Sequence, residues 1–223
     1  MSASRATVGS GIFLALAIAP RVTCAQLRAT GTASASLFMH QVDIGYGVEE
    51  STGLVFGVEG AMNAGSRLVL AVHAAGGSLS TQAIGAQNRN VGEIGVRASV
   101  VPRPWLALFG GAMSRTYSTD LARQRWTTVE LGAEAHADFA TIPVRGVLRG
   151  GLLPVVSVRG LPDPTVALTA AAGLEYSTGT FTGGMFYGLE RYDFPDTGAG
   201  RRLEQVSTFS FRFSVQRRQR RSP

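Results

Sequence analysis

The sequence predicts an all-β protein: a single up-and-down antiparallel β-barrel of ten strands that crosses a membrane. Three observations predict it. Ten segments alternate apolar and polar residues with a period of two. The links between them alternate short and long, as membrane barrels require and soluble sandwiches do not. Only 16% of the residues are charged, well below the roughly 25% of a soluble globular protein.

The chain opens with a leader. Residues 1–25 read as a secretory signal peptide: Arg5 is the positive n-region, Ile12 to Ala19 the apolar core, and Thr23-Cys24-Ala25 a small-residue cleavage site before Gln26. The apolar run is far short of the roughly 20 residues that span a bilayer as a helix. Arg21, Val22 and Thr23 make a poor lipoprotein box, so Cys24 is expected to leave with the leader. The mature chain then has no cysteine, which excludes a disulfide scaffold, a thiolate zinc site and a cysteine nucleophile together.

Residues 26–216 form the predicted barrel domain, with strands near 34–46, 53–63, 67–79, 90–101, 104–117, 126–139, 143–158, 165–177, 181–194 and 204–216. Each is long enough for a tilted strand through hydrocarbon. In 90–101, Ile94, Val96, Ala98 and Val100 oppose Glu93, Gly95, Arg97 and Ser99. In 126–139, Val129, Leu131, Ala133, Ala135, Ala137 and Phe139 share one face; Thr128, Glu130, Gly132, Glu134, His136 and Asp138 share the other. Segment 165–177 alternates Val166, Leu168, Ala170, Ala172, Leu174 and Tyr176 with Thr165, Thr169, Gly173 and Glu175. The last strand sets Phe209, Phe211, Phe213 and Val215 against Thr208, Ser210, Arg212 and Ser214. Two segments are irregular. In 104–117 the faces are ambiguous: turning Trp105, Phe109, Met113 and Tyr117 outward also turns Arg115 outward. Pro154 interrupts 143–158, where a bulge is expected. The first segment is the weakest, and eight strands is the alternative count.

Alternation also fits an inside-out soluble barrel. The membrane reading follows because the polar face is rich in Gly, Ala, Ser and Thr, too sparsely charged for a water-facing exterior. Aromatics near segment ends (Tyr46, Trp105, Tyr117, Trp126, Phe139, Tyr176, Phe181 and Tyr192) suit interfacial girdles. The links near 64–66, 102–103, 140–142 and 178–180 are tight, while 47–52, 80–89, 118–125, 159–164 and 195–203 are longer.

On these segments, and on the aromatic alternation of Phe209, Phe211 and Phe213, the chain resembles the small outer-membrane β-barrel proteins of Gram-negative bacteria, the OmpA- and OmpX-like barrels of eight to ten strands. The resemblance covers about residues 33–216. It implies an outer-membrane location, the lipid bilayer as partner, and barrel-assembly machinery reading the terminal strand. In that family the chain usually ends on an aromatic; here an Arg-rich tail, 217–223, follows.

All 21 basic residues are Arg. Leaving out Arg5 and Arg21 of the leader and Arg217, Arg218, Arg220 and Arg221 of the tail, the body balances 15 Arg against 15 acids. The basic pI therefore belongs to the two ends, and no nucleic-acid partner is expected. With apolar faces outward, the lumen receives Asp43, Glu59, His73, Glu93, Arg97, Glu130, Glu134, His136, Asp138, Arg145, Arg149, Glu175, Glu190 and Arg212. Arg145 and Arg149 are expected to pair with Glu130, Glu134 and Asp138, and Asp43 with Arg212 across the closing strands. Charges in a narrow lumen must be paired or hydrated.

The expected role is a structural or surface-contact barrel with an ion-paired lumen, contact being carried by 80–89, 118–125 and 195–203. A narrow passive pore and a hydrolase are the alternatives. For the hydrolase, His136 with Asp138 is the best local pair, needing Ser157 or Ser99 as nucleophile. Segment 126–139 puts that pair near the periplasmic end, whereas such barrel enzymes work at the outer rim. The three His (His40, His73, His136) lack metal-ligand spacing. No enzyme activity, catalytic residue, cofactor or metal is expected.

Overall fold

The computed structural model describes residues 29–45, 47–82, 87–196 and 200–216. The leader with Cys24, Tyr46 and the tail 217–223 lie outside the described residues. Ten strands follow one another: β1 (Ala29–Asp43), β2 (Val48–Ala64), β3 (Leu68–Thr81), β4 (Arg89–Arg103), β5 (Leu106–Ser118), β6 (Arg123–Asp138), β7 (Val144–Val158), β8 (Val166–Thr178), β9 (Phe181–Asp193) and β10 (Leu203–Gln216). Each pairs antiparallel with its sequence neighbours, and β1 closes on β10 from Thr30↔Gln216 to Asp43↔Leu203. Closure leaves no unpaired strand edge, the condition for surrounding a sheet with hydrocarbon. The first segment is a full strand, and the count is ten.

The links sort by end. Residues 65–67, 104–105, 139–143 and 179–180 turn at one rim, while 44–47, 82–88, 119–122, 159–165 and 194–202 connect at the other. Gly65 and Gly179 supply the positive φ (83° and 60°) that two of the short turns need. The contrast is weakest around β6, which starts at Arg123 and shortens the link expected at 118–125.

Because side chains alternate, one residue set covers the outside of the wall. Phe56, Val72, Ile94, Val96, Leu131, Leu148, Leu152, Phe211 and Phe213 are all exposed there. Soluble monomers rarely expose contiguous apolar patches beyond a few hundred Å²; here the belt circles the barrel.

Three sequence expectations are corrected. First, among the described residues the expected girdle aromatics are exposed only at the short-turn end, at Trp105, Phe139, Tyr176 and Phe181. Tyr117, Trp126 and Tyr192 instead point into the lumen and are buried. Second, β5 has the opposite facing: Phe109, Arg115 and Tyr117 are buried inside, and Leu108 is outside. An outward Arg115 would meet lipid, whereas inside it finds carboxylates. Third, Asp43 does not face the lumen. The inward set of β1 is the one containing Phe38, His40 and Val42, and the Asp43 carboxylate accepts the Gly45 backbone N–H at 2.8 Å.

The bulge expected at Pro154 is present. Val129 pairs with Val155 but Leu131 with Leu152, so β7 spends one extra residue around Pro154. Proline has no N–H for the ladder, and the extra residue absorbs that loss. Beyond the bulge the facing reverses: Val156 and Val158 are buried, and Ser157 is exposed outside.

Candidate functional site

The lumen has two unlike halves. At the long-loop end it is filled by a core of the kind found in soluble proteins. Phe38, Leu79, Val91, Tyr117, Trp126, Val156, Val158, Tyr192, Phe194 and Val206 belong to one buried cluster that, with Val55 and Ala167, draws on all ten strands and the link 194–202. Trp126 is its hub, edge-on to Tyr192 at 4.9 Å, Phe194 at 6.1 Å and Tyr117 at 6.4 Å between ring centroids. Tyr117 stacks on His40 at 4.7 Å. His40 Nε2 is hydrogen-bonded to Glu204 Oε2 at 2.8 Å, both residues being almost wholly buried. Arg202 donates from Nε to the other oxygen of Glu204 at 2.7 Å.

Beneath this layer, Arg115 spans the lumen. Its guanidinium donates to both oxygens of Glu190 at 2.6 and 2.9 Å, and its Nε donates to Glu93. The Tyr192 hydroxyl donates to Glu190 at 2.6 Å, tying the ion pairs to the aromatic layer. The bidentate fork is the strongest carboxylate geometry available to a side chain. Phe38 lies under the guanidinium at 5.4 Å.

Below Arg115 the lumen opens into a polar cavity of about 270 Å³ lined by Glu59, His73, Arg97, Glu130, Arg149 and Arg212, among others. A further space of about 180 Å³, toward the short turns, adds Glu134, Glu175 and Phe186. Arg149 donates to Glu130 at 2.5 Å, and Thr169 donates to the other Glu130 oxygen at 2.7 Å. Arg149 and Arg97 both sit over Phe109, at 4.2 and 5.4 Å from its centroid. Gly173 leaves room for the Phe186 ring, since a Cβ there would lie 2.3 Å from it.

The expected pairings hold in part. Arg145 donates to Asp138 at 2.7 Å near the short-turn rim. Arg149 stands opposite Glu134 in register but bonds Glu130 instead. Arg212 lies opposite Ser34 and 4.4 Å over Phe186, not beside Asp43. His136 and Asp138 do not join: His136 Nε2 is hydrogen-bonded to Glu134 Oε1 at 2.9 Å. Ser157 is on the opposite side of the wall from His136. Sequence reasoning missed His40, Arg115, Tyr117, Trp126, Tyr192 and Glu204. The signal was parity: Trp126 shares its face with Thr128 and Glu130, and Tyr192 with Glu190. Among the described residues, no group of three or more His, Cys, Asp or Glu is arranged to hold a metal ion.

No family model matches the sequence, and no curated protein does. Solved structures do match in fold. The outer membrane protease OmpT from Escherichia coli superposes with a TM-score of 0.56 at 8% identity, covering 86% of this chain and 96% of that one. The beta domain of the Bordetella autotransporter BrkA gives 0.50 at 11% identity, covering 83% and 98%. Identities this low carry the architecture and no activity. The chain has the fold of the small bacterial outer-membrane β-barrels, a closed antiparallel up-and-down barrel of ten strands.

Proposed function

We propose that the protein is an integral outer-membrane barrel with a structural or surface-contact role, its lumen closed at the long-loop end and open as a polar cavity at the other. The carrying observation is the layer across the lumen, in which Trp126, Tyr117, Tyr192 and Leu79 pack above the Arg115–Glu93–Glu190 network. Water and solutes cross a barrel only where polar space runs from rim to rim. The exposed apolar belt supports lipid as the surroundings, because nothing else covers so much hydrophobic surface. The short-turn rim then faces the periplasm, and surface contact belongs to the links 82–88, 119–122, 159–165 and 194–202. The terminal strand with Phe209, Phe211 and Phe213 supports recognition by barrel-assembly machinery.

Planar-bilayer recording tests the reading. The wild-type barrel is expected to stay silent, while the double variant W126A/Y192A conducts in discrete steps. Heat-modifiable electrophoresis selects closed barrels, so that an unfolded variant is not scored. Steady conductance by wild type would overturn the closed-lumen reading in favour of the narrow pore.

A further inference from the structure

The outward face of β6 and β7 carries an arrangement that neither the barrel wall nor the lumen accounts for. The register Trp126↔Val158 and Thr127↔Ser157 sets Arg125 directly opposite Arg159, whose backbone N–H donates to the Arg125 carbonyl at 3.0 Å. Arg123 is two residues farther along the same face, and all three side chains are exposed. Like charges directly opposite in an antiparallel pair repel. Among the described residues no carboxylate forms an ion pair with any of the three, although Asp120 and Asp163 lie in the flanking links.

The patch has a definite level. Along the outside of β6, Arg125 is followed by Thr127, Val129 and the exposed Leu131; along β7, Arg159 is followed by Ser157, Val155 and the exposed Leu152. Arginines therefore sit at the rim, hydroxyls next, and apolar belt below, the sequence of chemistries met on moving from headgroup to acyl chain. The basic patch is local, since the outer ends of β1 and β2 carry Gln41 hydrogen-bonded to Glu50 at 3.1 Å and the carboxylate of Asp43.

We propose that Arg123, Arg125 and Arg159 form a binding site for the phosphate headgroup of an anionic lipid in the leaflet at the long-loop rim. The guanidinium fork matches phosphate oxygens in two parallel hydrogen bonds, and one phosphate between Arg125 and Arg159 converts their repulsion into a bridge. The inference rests on the membrane-embedded reading, and lipid is chosen over free phosphate because the patch is continuous with the apolar belt.

The test is native mass spectrometry of the full barrel released from detergent micelles doped with phosphatidic acid or with phosphatidylcholine. Wild type is expected to retain phosphatidic acid about tenfold better than phosphatidylcholine, the ratio that one charge-assisted contact supports. R125Q/R159Q should lose this preference. Arg191→Gln, changing an exposed arginine on β9, should keep it. Excess inorganic phosphate should leave the lipid bound; displacement by it would assign the site to a free anion instead. Equal retention of both lipids, or a preference surviving in R125Q/R159Q, would overturn the site. Should the embedded reading itself fail, the barrel would not insert into phosphatidylcholine vesicles at all, a separate result.

Discussion

Arg115 shows how a single side chain sets the facing of a strand. Its guanidinium is almost wholly buried, and three of its hydrogen bonds go to Glu93 and Glu190. Removing one partner from such a cluster leaves carboxylates desolvated and unpaired, a loss of about 3–5 kcal/mol. Arg115→Met is therefore expected to lower barrel stability by about that amount, read from urea titration in lipid vesicles with tryptophan fluorescence. Adding E93Q and E190Q removes the stranded charges and should recover much of the loss. A triple variant no more stable than Arg115→Met would mean that the cluster works through packing against Phe38 and Tyr192 rather than through charge. The sequence left the facing of 104–117 ambiguous, with Trp105, Phe109 and Tyr117 fitting an outward girdle and Arg115 speaking against it. Rings tolerate either side of a wall and a guanidinium does not, so the charge decides the facing.

At the scale of the element, β7 shows what one inserted residue does. Pro154 supplies both a missing donor and the extra residue, and the strand beyond it reverses its facing. That reversal points Val156 and Val158 at Trp126 and puts Ser157 outside. Deleting Pro154 is expected to restore continuous pairing, with Val155–Val158 keeping their partners on β6 and Val156 and Val158 staying in the lumen. The deletion variant should therefore keep a heat-shifted band on electrophoresis, as should Pro154→Ala, which keeps the residue count. A deletion variant without a heat-shifted band would show that the bulge itself is needed for closure. The proline was legible in the sequence. Which residues it would redirect was not, because that depends on the register against β6.

The whole molecule is organised inside out, with lipid-compatible residues on the wall's exterior and polar and core-like residues in separate halves of its interior. Leu148 faces outward in the middle of β7, with 64% of its surface exposed. In a membrane, Leu148→Arg at that depth costs about 2–4 kcal/mol, while an outward rim position such as Val166 tolerates Arg at about 0–1 kcal/mol. Folding titrations of L148R and V166R in vesicles measure the difference. Equal effects would place the belt in water and reverse the reading of the exterior. The interior tells a complementary story. Ten strands enclose more width than ion pairs alone fill, and the aromatic rings make up the volume at one end while a cavity lined by charged side chains remains at the other.

Strand number, the loop-length asymmetry, the apolar exterior and most of the luminal charges were legible in the chain, because period-two alternation and turn residues are local properties of consecutive residues. So was the bulge at Pro154. What the chain did not disclose was which charge meets which. Arg149 turns to Glu130 although it stands opposite Glu134, Arg212 to Phe186 rather than Asp43, and Arg115 to Glu190 on β9 as well as to Glu93 on the neighbouring β4. The closed end of the lumen was hidden for the same reason: His40, Tyr117, Trp126, Tyr192 and Glu204 come from β1, β5, β6, β9 and β10. Alternation assigns each of them a side of the wall. Their height within the barrel, and so their meeting, depends on the stagger between strands, which is settled only when the sheet closes on itself.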